Sequence, residues 1–352
     1  MANWTDSMQQ TFEYYQVDPG TWKDVKPLRT VKSCTITRDL TLDTLGSATF
    51  DVIESVGECY IRVYLITIQN GLREKHPLGT FIVQTPASKF DGKLRTVTMD
   101  AYTPLIELKE SAPAIGYYIA QGENIMKNAY LLTREGVRAP VVQPSDEAIL
   151  YSDFIADPSD TYFSFLTDLL QNAKYTFILD EMGRVLFAPI QDTAYLQPIW
   201  TYNDGNSSIL GPEISMDHDL YGIPNIVEVV YSNGDTTLYG KAVNDDPGSP
   251  TSIQNRGRNI VHRVTDPDLI GQPTQAQVDE CAVKTLREMS CLEYTISYTH
   301  AYCPVRIGDC VRLDYARAGL NNVRAKVVSQ NIKCELGCQV SEKAIFTAQL
   351  WG

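Results

Sequence analysis

The stretch NDDPGSPTSIQNRGRN, residues 244–259, gathers the side chains of this chain best suited to bind or to react. Asp245 and Asp246 could hold a divalent cation, and Arg256 and Arg258 could grip an anion. A phosphate site needs glycines that lead straight from a strand into a helix N-terminus. Here the next helical pattern begins well beyond the loop, after the strand-like NIVHRV. The simplest reading of the four charged residues is that they pair with one another or with a neighbouring subunit, at a crossover between domains. Pro247 and Pro250 stiffen that crossover, while Gly248 and Gly257 permit unusual backbone angles.

Other groupings are weaker. Cys334 and Cys338, with Cys303 and Cys310, could supply four thiolates to zinc. The CxxC knuckles of such sites are missing, and Cys310 sits inside the apolar run VRIGDCVRL, so the thiols read as small buried hydrophobes. His300 and Cys303, in HAYC, could form a base and its nucleophile. Residues three apart on an extended strand face opposite sides, so these two side chains are expected to diverge. Asp217, His218 and Asp219 read as a solvated cluster. Asp266 and Asp268 could serve a hydrolase, but Pro267 between them makes a turn the better reading. Walker loops, GxGxxG, GxSxG and HExxH are all absent. No catalytic residue, cofactor or metal is assigned.

The composition narrows the classes further. A net charge of −13 opposes a conventional nucleic-acid binder, which needs a basic face to neutralise phosphates. Eight cysteines in 352 residues are too few for a disulfide scaffold. The N-terminus lacks the layout of a signal peptide, and no apolar run approaches the ~20 residues of a membrane span. Synthesis in the cytosol without direct membrane insertion is the expectation.

The elements that must position these residues are mostly strands. SATFDVIE, CYIRVYLITI, LGTFIVQT and KLRTVTMDAY alternate or cluster β-formers, with turn signals at Gly71 and at Asp91-Gly92. ENIMKNAYLL reads as a short helix. TYFSFLTDLLQNA is a second, capped by Ser159-Asp160, with apolar residues 162, 165, 166, 169 and 170 on one face. KYTFILD and RVLFAPI flank a hairpin turn at Glu181-Met182-Gly183, and NIVEVVYS and TTLYGKAV flank another at Asn233-Gly234. A helix over 274–290 carries an apolar stripe at 278, 281, 282, 286 and 289. Strands return in EYTISYTHAY, GDCVRLDYA, RAKVVSQNIKCEL and KAIFTAQLWG. Residues 1–30 show no clear periodicity and read as an extended leader.

Taken in order, TVKSCTITRDLTLDTLGSATFDV, HPLGTFIVQTPASKFDGKLRTVTMDAYTPLIEL, FSFLTDLLQNAKYTFILDEMGRVLFAP, NIVEVVYSNGD, DDPGSPTSIQNRGR and the closing IGDCVRL resemble the phage tail hub family, the trimeric baseplate-hub or tail-tip proteins. The resemblance implies a mainly β fold with α+β insertions: two small antiparallel β-barrels of tail-tube type plus an inserted α+β domain. The barrels would occupy 31–110, and 213–243 joined to 292–352. The α+β domain would occupy 111–212, with a loop-plus-helix insertion at 244–291 packing against it.

It further implies a non-enzymatic homotrimer located in the virion and assembled in the host cytoplasm. Its pseudo-sixfold ring of barrels would adapt a sixfold tail tube or distal tail protein to a threefold spike or tail fibre. A tape measure protein would lie in the lumen, and DNA would pass through without specific binding. Asp245, Asp246, Arg256 and Arg258 would serve a subunit or domain interface. Any wall-degrading activity would belong to another chain. Two other readings compete. One is a receptor- or carbohydrate-binding module that uses its twenty tyrosines as stacking platforms. The other is a cell-wall hydrolase that uses Asp245, Asp246, Asp266 or Asp268.

Overall fold

The computed structural model describes residues 2–54, 56–90, 95–191, 195–205, 207–232, 236–265, 267 and 273–352. The chain groups into two compact units. One is Met1–Ile214 with Ser297–Ala344, and the other is Ser215–Ile296 with Ile345–Gly352.

The first hundred residues form seven strands: β1 (Gln9–Val17), β2 (Asp24–Pro27), β3 (Val31–Asp39), β4 (Gly46–Val52), β5 (Tyr60–Gln69), β6 (Leu72–Phe90) and β7 (Arg95–Tyr102). They pair antiparallel in the order β3-β4-β7-β6-β5-β1-β2. Strand β4 shows why: Ala48, Phe50 and Val52 are buried between half-exposed or exposed Ser47, Thr49 and Asp51. That period of two gives the sheet one dry face. Strand β5 differs, being buried on both faces from Tyr60 to Thr67. Ile61, Val63 and Leu65 join the main core with Phe50, Leu78 and Met99. Tyr60, on the opposite face, packs with Val17 and Ile82. The expected turn at Asp91-Gly92 lies outside the described residues.

Residues 1–30, expected as an extended leader, contribute two strands to the large sheet. Strand β1 pairs with β5 from Gln9↔Ile68 to Val17↔Tyr60, and β2 folds back on β1. Phe12 and Tyr14 of TFEYYQV face the main core on either side of Glu13, but the second tyrosine, Tyr15, breaks that alternation in the sequence.

An α+β segment follows: α1 (Ile106–Lys109), β8 (Tyr118–Ile119), α2 (Ile125–Gly136), β9 (Phe154–Ile155), α3 (Tyr162–Asn172), β10 (Tyr175–Leu179) and β11 (Val185–Pro189). Asn124 caps α2 by accepting the Lys127 N–H. Thr161, rather than Ser159-Asp160, caps α3 through a reciprocal pair of hydrogen bonds with Ser164. Phe165, Leu166, Leu169 and Leu170 are fully buried and pack with Phe177 and Val185 of the β10–β11 hairpin.

Strands β12 (Pro198–Asn203) and β13 (Leu210–His218) come next, then β14 (Ile226–Ser232), β15 (Thr237–Val243), α4 (Ile253–Arg256), β16 (Val261–Thr265) and α5 (Gln275–Met289). Strands β15, β14 and β16 form a separate three-stranded sheet in that order. The expected grouping of 213–243 with 292–352 therefore fails for this hairpin, whose partner β16 lies within 244–291. Periodicity identifies a strand but not its neighbour. The turn at Asn233-Gly234 lies outside the described residues, although Ser232 pairs with Thr237 beside it.

Helix α5 covers that sheet, with Val278, Ala282 and Leu286 fully buried against Val227, Val229 and Ala242. The approach depends on Gly240, where a Cβ would stand 2.6 Å from the Val278 carbonyl oxygen. Gly240→Ala is expected to destabilise this unit by about 1–3 kcal/mol through overpacking, read in urea denaturation.

The chain ends in β17 (Cys291–Ala301), β18 (Cys310–Tyr315), β19 (Leu320–Lys333) and β20 (Gln339–Gln349). These extend the large sheet, whose order continues from β3 through β19, β20 and β17 to β13. Strand β19 pairs along part of its length with β3 and along another part with β18. Strand β12, expected within the α+β insertion, pairs in parallel with β18 instead. The fold is mainly β with α+β insertions. Among the described residues, no helix is long and apolar enough to cross a membrane.

Candidate functional site

The loop 244–259 is built around its own backbone. Asn244 is fully buried, and its amide donates to Ser249 Oγ at 2.9 Å and Thr251 Oγ1 at 3.2 Å. Asp246 Oδ1 accepts the Gly248 N–H at 2.8 Å, which closes a turn. Asn255 Nδ2 reaches the carbonyls of Pro247 and Ser249 at 2.9 and 2.8 Å, and Ser252 caps α4. Gly257 ends that short helix in the left-handed region, at φ 62°. Polar side chains thus satisfy the irregular backbone that a loop must otherwise expose to water.

Arg256 donates to the carbonyls of Leu220 and Ile223, at 2.6 and 3.0 Å. Asp245, Asp246 and Arg258 are exposed. Among the described residues, no ion pair joins either aspartate to either arginine, so the expected mutual pairing is absent. The sequence placed acids and arginines together, but the Asp246 turn and the Arg256 contacts send them different ways. The loop offers neither a convergent cation site nor a convergent anion site.

His300 and Cys303 do meet, contrary to the expected divergence. Strand β17 ends at Ala301, so the chain turns before Cys303 and brings its Sγ to 3.9 Å from His300 Nδ1. Around them lies a buried polar network. His300 Nε2 is 3.3 Å from Glu342 Oε2 and 3.2 Å from the Tyr202 hydroxyl, and Nδ1 is 2.8 Å from the Ala301 carbonyl. Gln330 Nε2 donates to Glu342 Oε2 at 2.6 Å, and the Tyr298 hydroxyl donates to Oε1. Burial disfavours the charged imidazole, but the contacts with Cys303 and Glu342 outweigh it and raise its pKa to about 10. Both ring nitrogens face acceptors, which suits a doubly protonated ring.

A nucleophile needs a route to substrate, and this cluster has none. The His300 and Glu342 side chains are 0% exposed and Cys303 is 1% exposed. The network is a structural core of ionic and hydrogen-bonded groups. Sequence reasoning missed Glu342, Gln330 and Tyr202, because their strands meet only through the sheet topology.

The remaining candidates disperse. Cys334 and Cys338 lie in the main core with Cys34, while Cys310 is buried in β18, and all eight cysteines are free. Among the described residues, no group of three or more His, Cys, Asp or Glu is placed to hold a metal ion. Asp217, His218 and Asp219 are exposed. The His218 ring lies 5.0 Å from Tyr294, and Asp219 accepts the Tyr221 N–H at 2.7 Å. Asp266 and Asp268 lie outside the described residues.

A cavity of about 570 Å³ opens between the β10–β11 hairpin and strands β3, β6 and β19. Leu40, Leu45, Leu78, Phe81 and Ile178 make much of its wall apolar. Of its charged groups, Arg306 is paired with Glu181, and Arg38 donates to Gln330 and to the Leu78 carbonyl. Burial raises the Asp309 carboxyl, which accepts the Arg306 N–H at 2.7 Å. These groups brace the cavity wall and present no nucleophile with its base.

No family model and no curated protein matches the chain. Solved structures do share its fold. A tail protein from Neisseria meningitidis MC58 superposes with a TM-score of 0.63 at 13% identity, covering 97% of this chain and 98% of its own. The 43 kDa tail protein of prophage MuSo2 from Shewanella oneidensis gives a TM-score of 0.62 at 11% identity, covering 95% of this chain and 98% of its own. Likeness at such low identity is likeness of fold. From end to end, the chain has the fold of these two tail proteins.

Proposed function

We propose that the chain is a structural subunit of a phage tail hub. Three copies form a pseudo-sixfold ring that adapts the sixfold tail tube, or a distal tail protein, to a threefold spike or fibre. The ring forms part of the DNA channel and houses the tape measure protein. The observation that carries this reading is the fold likeness to two tail proteins over nearly the whole length of all three chains. A match confined to one barrel would support only a shared module.

Two further points support it. His300 and Cys303 are shut away from solvent, and the charges of the 244–259 loop do not converge, which favours assembly over catalysis. Three copies at −13 carry −39, a charge that repels DNA phosphates rather than retaining them. Asp245, Asp246 and Arg258 are exposed and remain candidates for a subunit interface.

Electron cryo-microscopy of particles containing the chain tests the reading. Threefold density for it between tube and spike is expected. A sixfold or peripheral position would overturn the hub assignment. Particles that lack the chain, together with glycan binding by the purified monomer, would favour the carbohydrate-binding alternative.

A further inference from the structure

Cys34 lies in β3, and Cys334 follows the last residue of β19. Their ladder runs from Ser329↔Asp39 to Lys333↔Thr35, and the Cys334 N–H then donates to the Cys34 carbonyl at 2.9 Å. Residues directly opposite across a sheet project their side chains to one face. Here that face is the core: Cys34, Ile36, Ile332 and Cys334 belong to one buried cluster. Cys34 is 3% exposed and Cys334 is 6% exposed. Directly opposed, hydrogen-bonded residues have Cα atoms ~5.5 Å apart, inside the range that a disulfide spans. Cys334 lies beyond the strand end, where the backbone can adjust more easily than within a ladder.

We propose that Cys34 and Cys334 form a latent disulfide site, which a small peroxide closes into a cross-link between the N-terminal and C-terminal strand regions. Peroxide first oxidises one thiol to a sulfenic acid and releases water. The second sulfur then displaces that hydroxyl, forming the S–S bond and a second water. The two thiols together lose two protons and two electrons, and the electrons reduce the peroxide O–O bond.

The neighbouring Cys34 thiol and burial hold the Cys334 thiol well above the usual range. Thiolate is therefore scarce, and closure is slow. A reducing cytosol keeps the site open, and long residence in an oxidising medium closes it. The inference goes beyond the hub reading and rests only on the β3–β19 register. Cys338, 0% exposed in the same cluster, is the competing partner.

The full chain, purified with reductant, is incubated in dilute hydrogen peroxide, then denatured, alkylated without reductant, digested and mapped by mass spectrometry. A linked peptide pair holding Cys34 and Cys334 is expected, two hydrogens lighter than the free pair and separable by dithiothreitol. The oxidised chain should melt higher by roughly 5 °C. Cys34→Ser should abolish both effects, and Cys338→Ser should retain them. Recovery of Cys34 and Cys334 as alkylated thiols would overturn the proposal. So would a Cys334–Cys338 bridge, or oxidation that stops at sulfinic acid. The peptide map of the unaltered chain decides the matter even where a variant fails to fold.

Discussion

Arg62→Ala is expected to lower the unfolding free energy by about 3 kcal/mol, seen as an earlier midpoint in urea or on heating. Arg62 is 1% exposed and sits on the face of β5 turned away from the main core. Its guanidinium donates to Asp24 Oδ1 at 2.8 Å, Thr80 Oγ1 at 2.9 Å and the Met182 carbonyl at 3.1 Å. One side chain thus joins the N-terminal strands, β6 and the turn of the β10–β11 hairpin.

The full cost of breaking a buried ion pair is ~3–5 kcal/mol, and the lower end applies here. Asp24 is 22% exposed and keeps the Tyr64 hydroxyl at 2.8 Å and Lys75 at 3.7 Å. Met182 O likewise keeps the indole N–H of Trp22 at 2.7 Å. Lysine lacks the planar fork that reaches all three acceptors, so Arg62→Lys is expected to recover only part of the loss. If Arg62→Ala melts together with the parent, the keystone role is wrong.

Glu342→Ala is expected to cost about 3 kcal/mol, because in a dry core it takes the carboxylate partner from His300 and the acceptor from the Tyr298 hydroxyl, while the Gln330 amide keeps only the Val305 carbonyl. It should also change how stability depends on pH. The unfolded imidazole titrates near 6.5 and the folded one at about 10. A raised folded pKa means that the native state holds the proton more tightly. The stabilisation is therefore full below pH 6.5 and is lost as pH rises towards 10. Urea midpoints of the parent should fall across that window, and those of Glu342→Ala should fall much less. Parallel profiles for the two would exclude His300 as the source.

Much of the fold was legible from residue pattern. The apolar faces of α3 and α5 and the β10–β11 hairpin follow from local spacing, and each packs as its stripe demands. What was hidden is partnership. Nothing in TFEYYQV announces that β1 lies on β5, and nothing in TYND or SEKA brings Tyr202 and Glu342 to His300. HAYC misled because the rule of opposite faces holds only while the strand continues, and β17 ends before Cys303. The charged loop departs from mutual pairing for another reason: residue type suggested ion pairs, whereas Asp246, Asn255 and Arg256 satisfy carbonyls and N–H groups of their own neighbourhood.

The β3–β19 ladder also constrains the order of events during synthesis. Strand β3 is complete by Asp39, yet the strand that covers its free edge ends at Lys333. Strands β4 to β7 can fold on its other side as they leave the ribosome, but this edge must wait until β19 has been made. Any product that stops before β19 displays an unpaired strand ready to accept a foreign one. The β3 edge is thus exposed to aggregation until β19 has emerged, and the docking of β19 ends that exposure.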